Sequence, residues 1–154
     1  MCTLLSLSIS YGQIVVCDPA IEKPFNDWQP QHIRQGFAWR PGSVSFAVYD
    51  SNNYTVELCF ENQIVVQPHA ERAVVVPFLI PQTGSVELAV VGDSHEVSID
   101  TGAYALLFQL WHVNANSVWC RITFVPQASV QPSILRADAE LSPSMPLLME
   151  ANPA

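Results

Sequence analysis

Four histidines and four cysteines are the residues of this chain best able to do chemistry. His32, His69, His95 and His112 fall on four different segments, and Cys2, Cys17, Cys59 and Cys120 are as widely scattered. A helical or hairpin metal site needs ligands at close spacing, and a zinc knuckle needs paired CxxC steps; neither pattern is present. A nucleophile elbow, a glycine-rich phosphate loop and a local thiol–histidine signature are absent as well. The expectation is a protein that is not an enzyme and calls for no metal or cofactor, with scattered histidines and buried free thiols. The thiol expectation rests on the N-terminal stretch. Its first basic residue is Lys23 and serines interrupt its apolar positions, so it reads as a strand and not an export signal. A cytoplasmic chain keeps its cysteines reduced.

Charge is the stronger signal. The chain carries 14 acids against six Lys and Arg, a formal net charge of −8. Phosphates repel such a chain, which argues against direct binding to nucleic acid or to an anionic membrane and favours a basic partner. No apolar run approaches the length of a membrane-spanning helix. Between Ser43 and Asp100 stand Asp50, Glu57, Glu61, Glu71, Glu87, Asp93, Glu96 and Asp100, with Arg72 as the one base. Glu57, Glu61, Glu87 and Glu96 alternate with apolar residues, so they are expected to face solvent. They either guard sheet edges or form a negative surface that complements a basic cleft.

Two further groups are candidates for a site. Asp27-Trp28 precedes a short helical stretch: Asp27 is placed to cap it and Trp28 to staple it to a sheet, or the pair meets a basic partner with the indole as anchor. Trp111 and Trp119 fall out of phase with the apolar faces of their strands. They either form an exposed platform for a carbohydrate or small ligand, or they are covered on a sheet buried on both sides.

Strands must position these residues. Leu5, Leu7, Ile9 and Tyr11 alternate with serines, the period of a half-buried strand. Strands are also expected over 42–48, 54–60, 72–80, 86–90, 95–100, 103–112 and 118–124, with 42–48 and 54–60 joined as a hairpin and 64–66 as a short extra strand. Pro77 argues for a bulge or an edge within its run. A short helix is expected near residues 28–36, ended by Gly36. The fold expected is mainly all-β, a two-layer antiparallel sandwich of about eight strands, with a closed barrel as the alternative. It occupies residues 1–126. Residues 127–154 read as a proline-containing, weakly ordered tail, with a turn or two of helix over 135–141 and docking through Leu147-Leu148-Met149.

The order of several short pieces resembles one known family. Leu7-Ser8-Ile9-Ser10-Tyr11, Asp27-Trp28, Ile33, Gly36-Phe37-Ala38, Ser45-Phe46, Val76-Pro77-Phe78, Ser98-Ile99-Asp100, Gly102 with Tyr104, and Trp111 together resemble the competence protein J family, inhibitors of a DNA-uptake nuclease. The resemblance spans about residues 5 to 125 and rests on order and spacing, not on any single piece. It implies an inhibitor that binds a basic nuclease stoichiometrically, the nuclease being an uptake enzyme or a toxin for which this chain is the immunity factor. In one place the chain departs from the family pattern. After Asp-Trp the family tends to carry more acids, whereas here Gln29-Pro30-Gln31-His32 follows, with Arg34 and Arg40 nearby.

Overall fold

Period-two runs become strands almost throughout. In the computed structural model, which describes residues 1–154, the elements are β1 (Cys2–Leu5), β2 (Gln13–Cys17), α1 (Pro30–Gln35), β3 (Phe37–Arg40), β4 (Ser43–Ala47), β5 (Tyr54–Phe60), β6 (Arg72–Ile80), β7 (Ser85–Val90), β8 (Asp93–Ser98), β9 (Gly102–Asn114), β10 (Ser117–Pro126) and β11 (Ser133–Arg136). They form a six-stranded sheet in the order β1-β5-β10-β9-β6-β11 and a five-stranded sheet in the order β3-β4-β2-β7-β8. The architecture is the expected two-layer sandwich with one short helix. All pairs are antiparallel except β5 with β10.

Inward side chains of both sheets make one core. Ile14, Val16, Val44, Phe46, Val86 and Leu88 come from the smaller sheet, and Val56, Leu58, Val74, Val76, Leu106, Phe108 and Ile122 from the larger. Phe46 and Phe108 stack across the interface at 4.5 Å between ring centroids. Both outer faces are partly covered too. Ile64 and Val66 lie over Val75, Ala105, Leu107 and Val125 on the larger sheet. Ile21 and Phe25 lie over Val15, Cys17 and Ala89 on the smaller. Burial on two faces explains why β9 reads as a nearly continuous apolar run.

Several local expectations are corrected. Residues 6–10 are not in a sheet: β1 ends at Leu5, and the next strand starts only after a turn with positive φ at Tyr11 and Gly12. The alternation there reports burial of Leu7 and packing of Leu5 and Ile9 on the core, not a ladder. β2, β3 and β11 were not expected, so the strands number eleven and not eight. β4 and β5 are not a hairpin, because the connection after β4 carries the chain from one sheet to the other. Residues 64–66 form no strand and serve as the cover described above. Residues 133–136 form β11, not helix, and pair with β6 at Val74 and Val75. Because that pairing stops at Val75, Pro77 sits where β6 has no neighbour on one side, as a proline in a sheet requires. Gly36 does end α1, in a left-handed conformation (φ 84°).

The cysteines also depart from expectation. Cys17 and Cys120 are buried thiols, whereas Cys2 and Cys59 are joined in a disulfide. They are directly opposite each other on β1 and β5, a pairing that sequence spacing does not reveal because 57 positions separate them.

Residues 127–154 lie against the rest of the chain. Arg72, only 3% exposed, meets the Asp138 carboxylate with Nε–Oδ2 of 2.7 Å and Nη2–Oδ1 of 3.2 Å, and the Tyr49 hydroxyl donates to the same group. The Gln35 side chain accepts from Leu148 N–H and donates to its carbonyl, both at 2.9 Å. Leu147 and Met149 pack on the core.

Candidate protein-binding surface

The acids sort into two classes once their partners are known. Glu57 does not face solvent as a free carboxylate. Its side chain is 13% exposed and accepts from Arg121 Nε at 2.6 Å and from Trp119 Nε1 at 3.0 Å. Glu71 pairs with His112, and Glu61 faces the N-terminal amine at 3.5 Å. By contrast, Asp18, Glu87, Asp93, Glu96 and Asp100 form no ion pair with any Lys, Arg or His.

Four of these unpaired acids belong to one stretch of the smaller sheet. Asp93 and Glu96 lie on β8, which is the edge strand, and Asp100 follows it. Glu87 on β7 stands directly opposite Glu96. Like charges in direct cross-strand register destabilise a sheet, and neither carboxylate forms an ion pair. On the other side of β7, Glu87 is in register with Cys17 of β2. Burial, then Glu87, then Asp18 push the Cys17 thiol up to about 12, with Arg40 opposing them.

The same end of the sandwich carries two hollows. One, of about 380 Å3, brings Glu61 together with Asp100, beside Phe60 and Tyr104. The other, of about 550 Å3, lies between the sheets and is mostly apolar, with Asp18 on its wall; Tyr104 borders both. The Tyr104 hydroxyl donates to the Asp100 carbonyl at 2.7 Å. Asp18 was not among the expected site residues. Its signal was the apolar run Ile14 to Cys17 just before it, which the alternation rule passed over because β2 is buried on both faces.

Asp27 and Trp28 lie elsewhere. Asp27 does not cap α1; the N-cap is Gln29, whose N–H donates to Nδ1 of His32 at 3.0 Å. The proline at the first helical position fixes that start. Asp27 is exposed, and its N–H donates to the Asn152 carbonyl. Trp28 is half-buried and does staple the helix to a strand: its Nε1 donates to Gln13 Oε1 at 3.2 Å and its ring meets His32 edge-on. It borders a shallow hollow of about 250 Å3 with Tyr11 and Ile33. The structure thus brings together Glu87 with Glu96, and Glu61 with Asp100, and leaves Glu57 and Asp27-Trp28 apart from them.

The tryptophan platform is covered. Trp111 is 6% exposed, stacked on Trp119 at 6.0 Å, met edge-on by His69 and overlain by Arg121. Cys2, Glu57 and Cys59 hold ligand atoms within 4.8 Å of one another, but a disulfide offers no thiolate to a metal and Glu57 is engaged by Arg121.

Comparisons with known proteins agree with this architecture. The family model described as Competence protein J (ComJ) matches residues 6–125. A search of curated protein sequences found no match. Among solved structures, the chain is similar to ComJ, inhibitor of the DNA-degrading activity of NucA, from Bacillus subtilis. That match has 21% identity and a TM-score of 0.70, covering 82% of this chain and 96% of that one. It is also similar to the protein described as crocagin biosynthetic gene J, with 13% identity and a TM-score of 0.55 over 82% of this chain and 97% of the other.

Proposed function

The chain is a member of the competence protein J family, and on that premise we propose that it inhibits a DNA-degrading nuclease by forming a stoichiometric complex with it. The observation that carries this reading is the match over residues 6–125, joined to a fold shared with an inhibitor of NucA. The acids without partners on β7, β8 and the turn at Asp100 supply the physical means. A nuclease must hold the phosphate backbone, so its cleft is basic. A protein surface with uncompensated carboxylates competes for that cleft, and the summed field speeds the encounter. The mutual repulsion of Glu87 and Glu96 is relieved when a Lys or Arg of the nuclease comes between them.

The test is a titration of DNA cleavage by the NucA-type nuclease of the organism that makes this chain. The expected result is loss of cleavage that reaches its end near one equivalent of the chain and is independent of DNA sequence. Full cleavage at a large excess of the chain overturns the reading.

A further inference from the structure

The loop at residues 61–67 runs over the outer face of the larger sheet, and the floor beside it is made of hydrogen-bond donors. β9 and β10 supply that floor. Gln109 stands directly opposite Arg121, and Thr123 follows two residues along β10, on the same face. Thr123 is in register with Cys59 of β5, which closes the floor at its disulfide with Cys2. Alternation in the loop builds the wall. Ile64 and Val66 pack on the sheet, while Gln63, Val65 and Gln67 border a hollow of about 420 Å3 together with Asn62. Arg136 fixes the far end of the loop, donating to the carbonyls of Gln67 at 3.0 Å and Ala70 at 2.7 Å.

Each polar side chain of the floor keeps an unused donor. Gln109 is 1% exposed, and its Oε1 accepts from the Gln67 N–H at 2.7 Å. That bond fixes which way the amide lies, and Nε2 has no partner in the chain. Arg121 donates through Nε to Glu57 at 2.6 Å, and the same Glu57 oxygen accepts from Trp119. The guanidinium lies over the Trp111 ring, so it is held in place with Nη1 and Nη2 free. Thr123 is 3% exposed, and its hydroxyl has no partner either. No fully enclosed side-chain nitrogen or oxygen of the chain lacks a hydrogen bond. The free atoms of Gln109 and Thr123 therefore reach the hollow that these residues line. Enclosing donors without partners is costly, and a ligand that accepts from them recovers the loss.

We propose that this hollow binds the carboxylate of a small polar organic acid, its two oxygens shared among Gln109 Nε2, the Arg121 guanidinium and the Thr123 hydroxyl. A carboxylate presents two acceptor oxygens to neighbouring donors and carries a single negative charge. A phosphate dianion would set two charges near Glu57 and Glu61, with Arg121 as the one base lining the hollow. The volume lies near the low end of the range of about 300–1,000 Å3 found for ligand-sized clefts, which suits a small molecule. The side-chain amides of Asn62 and Gln63 in the wall suit its hydroxyl or amino groups. The site is independent of the inhibitor reading, since β7 and β8 belong to the other sheet.

The test is an NMR titration of the isotope-labelled full chain with lactate, malate and glutamine, the methyl esters of the same acids and inorganic phosphate serving as comparisons. At least one acid is expected to shift the Gln67 backbone amide and the Gln109 side-chain amide saturably at millimolar concentration, and its ester to leave both in place. Gln109→Glu replaces Nε2 by an oxygen while the other oxygen keeps the Gln67 N–H bond, and it sets its own carboxylate beside Arg121. Acid binding is expected to be lost in this variant, with the rest of the spectrum retained. Thr123→Val removes the hydroxyl at nearly constant volume and is expected to weaken binding about tenfold, the size of one hydrogen bond to a charged group. No saturable shift with any of the three acids overturns the proposal, as does undiminished acid binding in whichever variant keeps the wild-type spectrum. Binding of an ester as tight as that of its acid, or of phosphate tighter than that of the acids, also overturns it, because the hollow then does not select a carboxylate.

Discussion

Asp138 and the Glu87–Glu96 pair are the same chemistry in opposite circumstances. Asp138 is held by two guanidinium nitrogens of Arg72 and by the Tyr49 hydroxyl. Against the burial that would raise it, the hydrogen bonds from Arg72 and then Tyr49 hold its carboxyl below the usual range. Glu87 and Glu96 face each other across two strands and neither forms an ion pair. One region uses a carboxylate to fasten residues 133–154 to the sandwich. The other leaves carboxylates without ion pairs on the edge strand β8 and its neighbour β7, where like charges in register lower stability slightly. A net charge of −8 does not distinguish these regions; the partners do.

The largest effect expected from this contrast follows from breaking the buried pair. Arg72→Met leaves Asp138 without its partner and should cost about 3–5 kcal/mol, read as a shift in the urea midpoint. Asp138→Asn tests the same pair from the other side. Because the folded Asp138 pKa is depressed, its contribution is fully present above the usual carboxylate range and is lost as pH falls through the lower folded value. The wild-type chain should therefore destabilise more steeply in acid than Asp138→Asn, and parallel acid profiles would contradict the assignment.

The clasp at the opposite edge of the larger sheet comes next. Replacing Cys59 by Ser opens the loop closed by Cys2 and should cost about 2–4 kcal/mol. Thiol titration of denatured protein, alkylated at lysis, should count two free groups, Cys17 and Cys120. A count of four would mean that β1 is held by its ladder alone, in a reducing compartment.

Trp28 separates structural from interfacial use of the short helix. As a half-buried staple, Trp28→Ala should cost about 1–3 kcal/mol, less than a fully buried aromatic, with inhibition retained. Lost inhibition at unchanged stability would move the interface to α1. The smallest effect belongs to the acid pair: Glu87→Gln should leave stability unchanged or raise it by about 0.2–1 kcal/mol, since it removes a like-charge contact. A clear loss of stability would mean that Glu87 has a structural partner.

These outcomes bear on what a sequence can reveal. The β class, β6 with its neighbourless proline, and the helix stop at Gly36 were legible because each follows from a local rule: period two, a missing N–H, a residue able to take positive φ. What was not legible depends on distant partners. Glu57 alternates as faithfully as Glu96, yet Arg121, 64 positions away, neutralises one and nothing neutralises the other. Cys2 and Cys59 become neighbours only through strand pairing. β2 escaped notice because a strand buried on both faces shows no alternation, and with it went Asp18.

Stopped-flow association with the NucA-type nuclease, followed across ionic strengths, tests most directly whether the unpaired carboxylates are the nuclease-facing surface. The variant to compare with wild type carries Glu87→Gln, Asp93→Asn, Glu96→Gln and Asp100→Asn together. At low salt its association rate is predicted to fall at least tenfold. The two rates should converge as salt screens the field, with dissociation nearly unchanged. Equal association rates at every ionic strength, with full inhibition by the variant, would contradict the account.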